Sequence, residues 1–192
     1  MLPIKIAGLG CYLPERRVTN AELETRYDVS ASWIERATGV QERRYATHET
    51  SAGMGAAAAR RALDAATLHV GDLDAIIGAS TGPQQAIPCT AALVQRALQA
   101  PDGKSVCFDV NATCLSFMFG LQTAAQLVGA GMYRNVLVYS SEITSRSLNL
   151  RQPESMVLFG DAAAAAVVTR SCPARPARSG TPSSPPTAAA PT

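Results

Sequence analysis

Through residues 1–170, short apolar runs alternate with stretches of helical spacing, and this alternation restricts the fold more than any other feature of the chain. Runs 74–79, 105–110 and 136–140 are bounded by Gly, Asp, Ser or Thr and lack a polar alternation, the pattern of strands covered on both faces. An alanine-rich helix is expected over 52–66. A second, opened by Pro88, runs to about Leu98, and a third spans 114–131. A last apolar run covers 162–169. Strand and helix in this order predict an α/β fold built on a mixed, mainly parallel sheet with helices against it.

The N-terminal segment adds smaller elements. Residues 4–9 read as a strand. Thr19 and Glu22 form a T-x-x-E box opening a helix that ends near Tyr27. Ser30 is placed to cap a second short helix bearing Trp33 and Ile34, and Gly39 to stop it. Residues 1–170 are therefore expected to form one unit. Residues 171–192 form a separate Pro/Ala/Ser/Thr-rich tail with six prolines and no aliphatic side chain larger than alanine, too little to offset ordering entropy. Its composition also resembles a shifted GC-rich reading frame, so a truncated gene product is one expectation for this chain.

Composition excludes several classes of function. The net charge of +2 gathers into no basic cluster, since Arg16-Arg17, Arg43-Arg44 and Arg60-Arg61 are isolated pairs, so nucleic acid is not expected as a partner. No stretch approaches the ~20 apolar residues of a membrane span, which gives the expectation of a cytoplasmic protein. Five cysteines, with no C-x-x-C pair and no histidine at ligand spacing, point to neither a zinc site nor a disulfide framework. Gly8 and Gly10 follow a strand, but Leu13 and Pro14 stand where a dinucleotide-binding turn needs a third glycine and a helix start.

One cysteine stands out by position. In "DVNATCLSF" (109–117), Cys114 lies between a strand-like run and a long helix pattern apolar around most of its circumference, which predicts a buried helix. With Asn111 and Thr113 as caps, Cys114 is expected in the first turn, near free N–H groups and the positive end of the helix dipole. That setting favours a thiolate nucleophile, although a cysteine beside Leu115 and Phe117 is also compatible with simple packing. Loops after the carboxyl ends of parallel strands are where open α/β sheets bind ligands.

Three segments in register resemble the β-ketoacyl-acyl-carrier-protein synthase III family of thiolase-superfamily condensing enzymes. They are "SWIERATGVQERR" (32–44), "DVNATCLSF", and "LFGDAAAAAVV" (158–168). The resemblance covers nearly all of 1–170. It implies the N-terminal half of a two-half αβαβα thiolase-like architecture, with Cys114 accepting an acyl group from coenzyme A and the acyl-enzyme condensing with a malonyl thioester in fatty-acid or related biosynthesis. By the same resemblance, Trp33 stacks on the adenine of coenzyme A, Phe159 lines the acyl pocket and Ile87 enters a neighbouring subunit's pocket. Acyl-CoA and acyl carrier protein are the implied partners, with a homodimer or another condensing-enzyme subunit as the assembly, and no cofactor or metal is implied.

The pattern also departs from the family. Ala37 replaces an arginine before Thr-Gly, with Arg36 one place earlier; Pro153 replaces a second, with Arg151 two places off; and Ala162 and Ala164 replace glycines. The family's catalytic His and Asn belong to its second half, whereas His48 and His69 precede the nucleophile and read as surface-loop residues. A head-to-head acyl-condensing relative fits equally. The alternative from another class is a non-catalytic half-domain or partner subunit. A half alone would leave the Cys114 helix with a large apolar face, which favours aggregation, dimerisation or a partner.

Overall fold

A computed structural model describes residues 2–171 of the chain; the expected tail lies outside them apart from Ser171, whose N–H donates to Pro3 O. The core is a five-stranded sheet in the order β1-β7-β6-β4-β5, formed by β1 (Ile4–Tyr12), β4 (Ala75–Gly78), β5 (Val106–Asp109), β6 (Asn135–Glu142) and β7 (Ala162–Arg170). β4 pairs in parallel with both β5 and β6. β7 is antiparallel to β6 and to β1, so four of the five strands run the same way and only β7 is reversed. Ala162 and Ala164 lie in β7, where extended backbone accommodates a Cβ: Ala162 pairs with Glu142, and Ala164 with Ser140 and Cys11.

The helices follow from this strand order. The chain passes from β4 outward to β5 and then back past β4 to β6. Right-handed crossovers therefore place the two connecting helices on opposite faces. α4 (Thr90–Ala97) joins α3 (Ser51–Ala66) over one core containing Ile76, Leu137, Tyr139 and Val167. α5 (Ser116–Gly129) covers the other face over Ile77, Val136, Val138 and Val168. A third cluster of Val18, Leu23, Ile34, Met156 and Val157 joins the antiparallel pair β2 (Arg17–Thr19) and β3 (Glu42–Arg44) to α1 (Asn20–Arg26), α2 (Ala31–Thr38) and α6 (Pro153–Met156).

Most helix signals act as the sequence suggests. Thr19 Oγ1 accepts from the Glu22 N–H and Ser30 Oγ from the Trp33 N–H, while Gly39 ends α2 at φ 71°. The Glu22 carboxylate does not close the reciprocal half of the box; it pairs with Arg16 and Arg26 instead. α4 starts at Thr90 rather than at Pro88. Cys89 offers no side-chain cap, and the Asp109 carboxylate, reaching over from β5, accepts from both the Thr90 and Ala91 N–H groups.

The third helix differs more. α5 begins at Ser116, and Thr113–Leu115 form a separate 3-10 turn, so Cys114 sits just ahead of the α-helix and not within its first turn. Neither Asn111 nor Thr113 caps α5: Asn111 bonds to Thr81 O and the Thr113 N–H, and the Thr113 hydroxyl to Ala112 O. Nor is the helix enclosed. Only the stripe Ser116, Gly120, Ala124 and Val128 is fully buried, and Met118 and Phe119 remain 63% and 48% exposed.

Candidate active site

The ends of β4 and β5 define the site. Their following helices depart to opposite faces, which opens a crevice at the carboxyl ends of neighbouring parallel strands. A cavity of about 140 Å³ occupies it, lined by Gly78, Ser80, Thr90, Asp109, Asn111 and Tyr139. Gly78 has to be glycine here, because a Cβ would lie under 3.0 Å from Asp109 Oδ1 and from the Tyr139 hydroxyl. Tyr139 is fully buried, and among the described residues its hydroxyl has no hydrogen-bond partner. Burial, reinforced by the Asp109 carboxylate, holds its phenol well above the ordinary range.

The chain leaves this crevice through Asn111 into the turn carrying Cys114, which is exposed and belongs to none of the three core clusters. The turn is tightly specified. The Leu115 N–H donates to Ala112 O and the Ser116 N–H to Thr113 O; Ser116, buried, accepts the Ala112 N–H and donates its hydroxyl to Thr113 O. Thr113 lies at φ 51°, left-handed backbone that a β-branched residue rarely adopts. A second cysteine in the region is of another kind: Cys107 is half-buried on β5, and desolvation, with Cys89 and Asp109 adding to it, pushes its thiol up to about 11.

Ile87 lies 86% exposed in the loop between β4 and α4. That loop meets the cysteine turn through the Asn111 amide, which donates to Thr81 O at 2.7 Å. Thr81 is held from its other side, its N–H donating to the Glu142 carboxylate. The Ile87 and Cys114 loops are thus stitched together at the strand ends.

Trp33 and Phe159 belong to a second group. Trp33 is half-buried on α2 against the cluster that contains Met156 and Val157, and Phe159, 46% exposed, follows two residues later. Its segment is pinned at both ends. Buried Arg43, its charge disfavoured by desolvation, donates to Val157 O and Asn20 Oδ1. Buried Asp161 accepts from the Ala46 N–H and from both the N–H and the hydroxyl of Ser145. Asp161 and Asp109 thus organise two loops through charge-assisted bonds. Neither aspartate announces this role in the sequence, where Asp109 lies within the apolar run 105–110 and Asp161 just ahead of 162–169.

His48 and His69 are exposed on surface loops, His48 Nδ1 meeting the neighbouring Thr47 hydroxyl. Among the described residues no three His, Cys, Asp or Glu side chains are grouped to hold a metal ion, and no helix is long and apolar enough to cross a membrane.

Comparison with known proteins shows what this arrangement resembles. Residues 108–181 match the family model described as 3-oxoacyl-[acyl-carrier-protein (ACP)] synthase III. The chain is 44% identical over 164 residues to a β-ketoacyl-[acyl-carrier-protein] synthase III of Acidiphilium cryptum, covering 85% of this chain and 51% of that protein. The crystal structure of 3-oxoacyl-[acyl-carrier-protein] synthase III from Aquifex aeolicus superposes with a TM-score of 0.84 at 42% identity, over 88% of this chain and 54% of that one. The priming β-ketosynthase of the R1128 polyketide pathway superposes at 0.83 with 34% identity, over 88% of this chain and 50% of that one. A Xanthomonas campestris OleA does so at 0.75 with 25% identity, over 88% and 56%. The fold is thiolase-like, and the chain is similar to β-ketoacyl-acyl-carrier-protein synthase III proteins while spanning about half the length of the relatives it matches.

Proposed function

We propose that Cys114 is the acyl acceptor of a 3-oxoacyl-synthase reaction. The observation that carries this reading is an exposed cysteine in a tightly hydrogen-bonded turn at the carboxyl ends of parallel strands, inside the segment that matches the family model. The Cys114 sulfur, as thiolate, attacks the carbonyl carbon of an acyl-coenzyme A thioester. The carbonyl oxygen becomes an oxyanion, and collapse of the tetrahedral intermediate expels the coenzyme A thiolate and leaves an S-acyl enzyme. The Cys114 N–H points to a role in stabilising that oxyanion. A malonyl thioester on acyl carrier protein then loses carbon dioxide. Its α-carbon bonds to the acyl carbon, and the Cys114 thiolate departs as the 3-oxoacyl product forms.

In this reading Trp33 stacks on the coenzyme A adenine, Phe159 borders the acyl chain and Ile87 enters the pocket of a second subunit in a homodimer or a mixed assembly. The protein works in the cytoplasm and needs no cofactor or metal. By the same resemblance, the His and Asn that drive decarboxylation belong to the part of the relatives that this sequence does not match.

A specific observation supports a second reading, that of a half-domain serving as a partner subunit: the large apolar side chains of α5 and β1 are exposed on the face away from α3. One experiment separates the two. The chain is incubated with radiolabelled acyl-coenzyme A of several chain lengths, and the adduct is mapped by peptide mass spectrometry. A hydroxylamine-labile acyl group on Cys114, with no carbon dioxide released from malonyl carrier protein, supports the first reading. No adduct under conditions that label a full-length relative rejects it in favour of the second.

A further inference from the structure

We propose that Asn111 is a positioning residue for Cys114, acting through the backbone of Thr113; this rests on the reading of Cys114 as the acyl acceptor. Asn111 stands at the mouth of the cavity and uses both ends of its amide. Nδ2 donates to Thr81 O at 2.7 Å, and Oδ1 accepts from the Thr113 N–H at 2.9 Å. Asn111 lines the cavity, so on that side these two hydrogen bonds hold the amide.

What the amide holds is a residue in an unfavourable conformation. Thr113 is β-branched and left-handed, and it directly precedes Cys114. Relaxing Thr113 to negative φ would rotate the peptide that follows, and with it both the Cys114 N–H and the direction in which its sulfur leaves the backbone. Ser116 resists that rotation on the far side by bonding to the Ala112 N–H and Thr113 O. It acts on the carbonyl, however, and only Asn111 holds the Thr113 N–H against the neighbouring loop. Asn111 therefore joins two requirements, the shape of the nucleophile turn and its register against the loop that carries Ile87.

The test exploits the left-handed residue. In the full 192-residue chain, Asn111→Ala, Asn111→Ser, Thr113→Gly and the Asn111→Ala/Thr113→Gly pair are compared. Iodoacetamide alkylation rates are measured at Cys114 and, as an internal control, at Cys11, an exposed thiol on β1. Asn111→Ala lowers the Cys114 rate by about tenfold, the penalty for left-handed backbone expressed as a lost population, and leaves Cys11 unchanged. Asn111→Ser, whose hydroxyl can still accept from the N–H two residues on, loses less. Adding Thr113→Gly to Asn111→Ala restores most of the rate, because glycine adopts positive φ without penalty. General destabilisation would not produce that rescue.

A Cys114 rate unchanged in Asn111→Ala, a fall shared with Cys11, or a fall that Thr113→Gly does not reverse overturns the proposal. Acyl transfer from acyl-coenzyme A to the unaltered chain is measured in parallel. If it is absent while the alkylation pattern holds, the acyl-acceptor reading fails and the positioning role stands. If acyl transfer occurs without that pattern, the positioning role falls.

Discussion

The two faces of the sheet are built to different standards. Beneath α3 the sheet is sealed, with Ala58, Ala59 and Ala62 fully buried. Gly8 and Gly10 of β1 let the strand approach until a Cβ on either would fall under 3.0 Å from the α3 backbone, at Ala62 O and Ala66 N or at Ala58 O and Ala62 N. Beneath α5 the seat is less close and much narrower. Gly120 brings the helix down onto Ala79 and Val138, while Met118 and Phe119 point away, and Ile6, Leu9 and Cys11 on the same side of β1 remain uncovered. One face supplies the rigidity, and the other carries the candidate nucleophile with an apolar surface beside it. Small residues achieve both results. Alanine and glycine opposite a broad helix close a face, whereas the same residues as a single stripe leave the larger side chains outside.

The sharpest way to break this contrast is to thicken β1 on its sealed side. Gly10→Val puts a branched side chain against the backbone of Ala58 and Ala62, which no rotamer change can relieve, so α3 must move or the strand must bend. A loss of about 4 kcal/mol or more is expected in urea unfolding followed by circular dichroism, enough to unfold a domain of ordinary stability. A loss below about 1 kcal/mol would mean that α3 has slack, and the two faces would no longer differ in kind.

How far the sequence reveals this arrangement depends on which forces were local. Apolar runs at 74–79, 105–110 and 136–140 became β4, β5 and β6, and the caps Thr19, Ser30 and Gly39 act where they stand, because each signal depends on a few adjacent residues. The start of α4 was misplaced because its cap is Asp109, 19 residues from Thr90 in sequence. The start of α5 was misplaced because Asn111 serves Thr81, 30 residues away, instead of the helix. The expectation of a buried α5 followed from its composition, which does not distinguish the side facing its own sheet from a side left for something else. In the candidate site, Cys114 stood out through its neighbours in sequence. The bonds from Asp161 to Ala46 and from Arg43 to Val157 span 115 and 114 positions, and no local pattern announces them.

A gentler probe sharpens the contrast from within the sealed core. Tyr139 lies between Gly55 of α3 and Gly78 of β4, and Tyr139→Phe removes a hydroxyl with no partner among the described residues, so at neutral pH the change in stability stays within about 1 kcal/mol. Alkaline pH separates the two proteins. The phenol is raised in the folded state, so below about pH 10 it is protonated whether the chain is folded or not. As pH rises beyond that, only the unfolded tyrosine loses its proton, and stability falls. Thermal unfolding between pH 9 and 11 should therefore decline less steeply for Tyr139→Phe than for the unaltered chain. Parallel slopes would mean that the phenol ionises freely and that the core near the site is wetter than the sheet beneath α3.

The smallest expected change in stability lies on the open face, where it is the most informative. Met118 and Phe119 directly precede Gly120 on α5 but point away from the sheet, so Met118→Gln with Phe119→Gln should shift unfolding by no more than about 0.5 kcal/mol per site. Gly120→Val, one position on, would press a side chain into Ala79 and Val138 and should cost several times more. Association should respond in the opposite sense. Exposed apolar side chains at Leu115, Met118 and Phe119 favour self-contact, and sedimentation velocity should show the double glutamine variant shifted toward monomer while Gly120→Val gains nothing. If the glutamines instead lower stability as much as a core substitution, the outer side of α5 is covered from within the chain, and the difference between the two faces is one of degree.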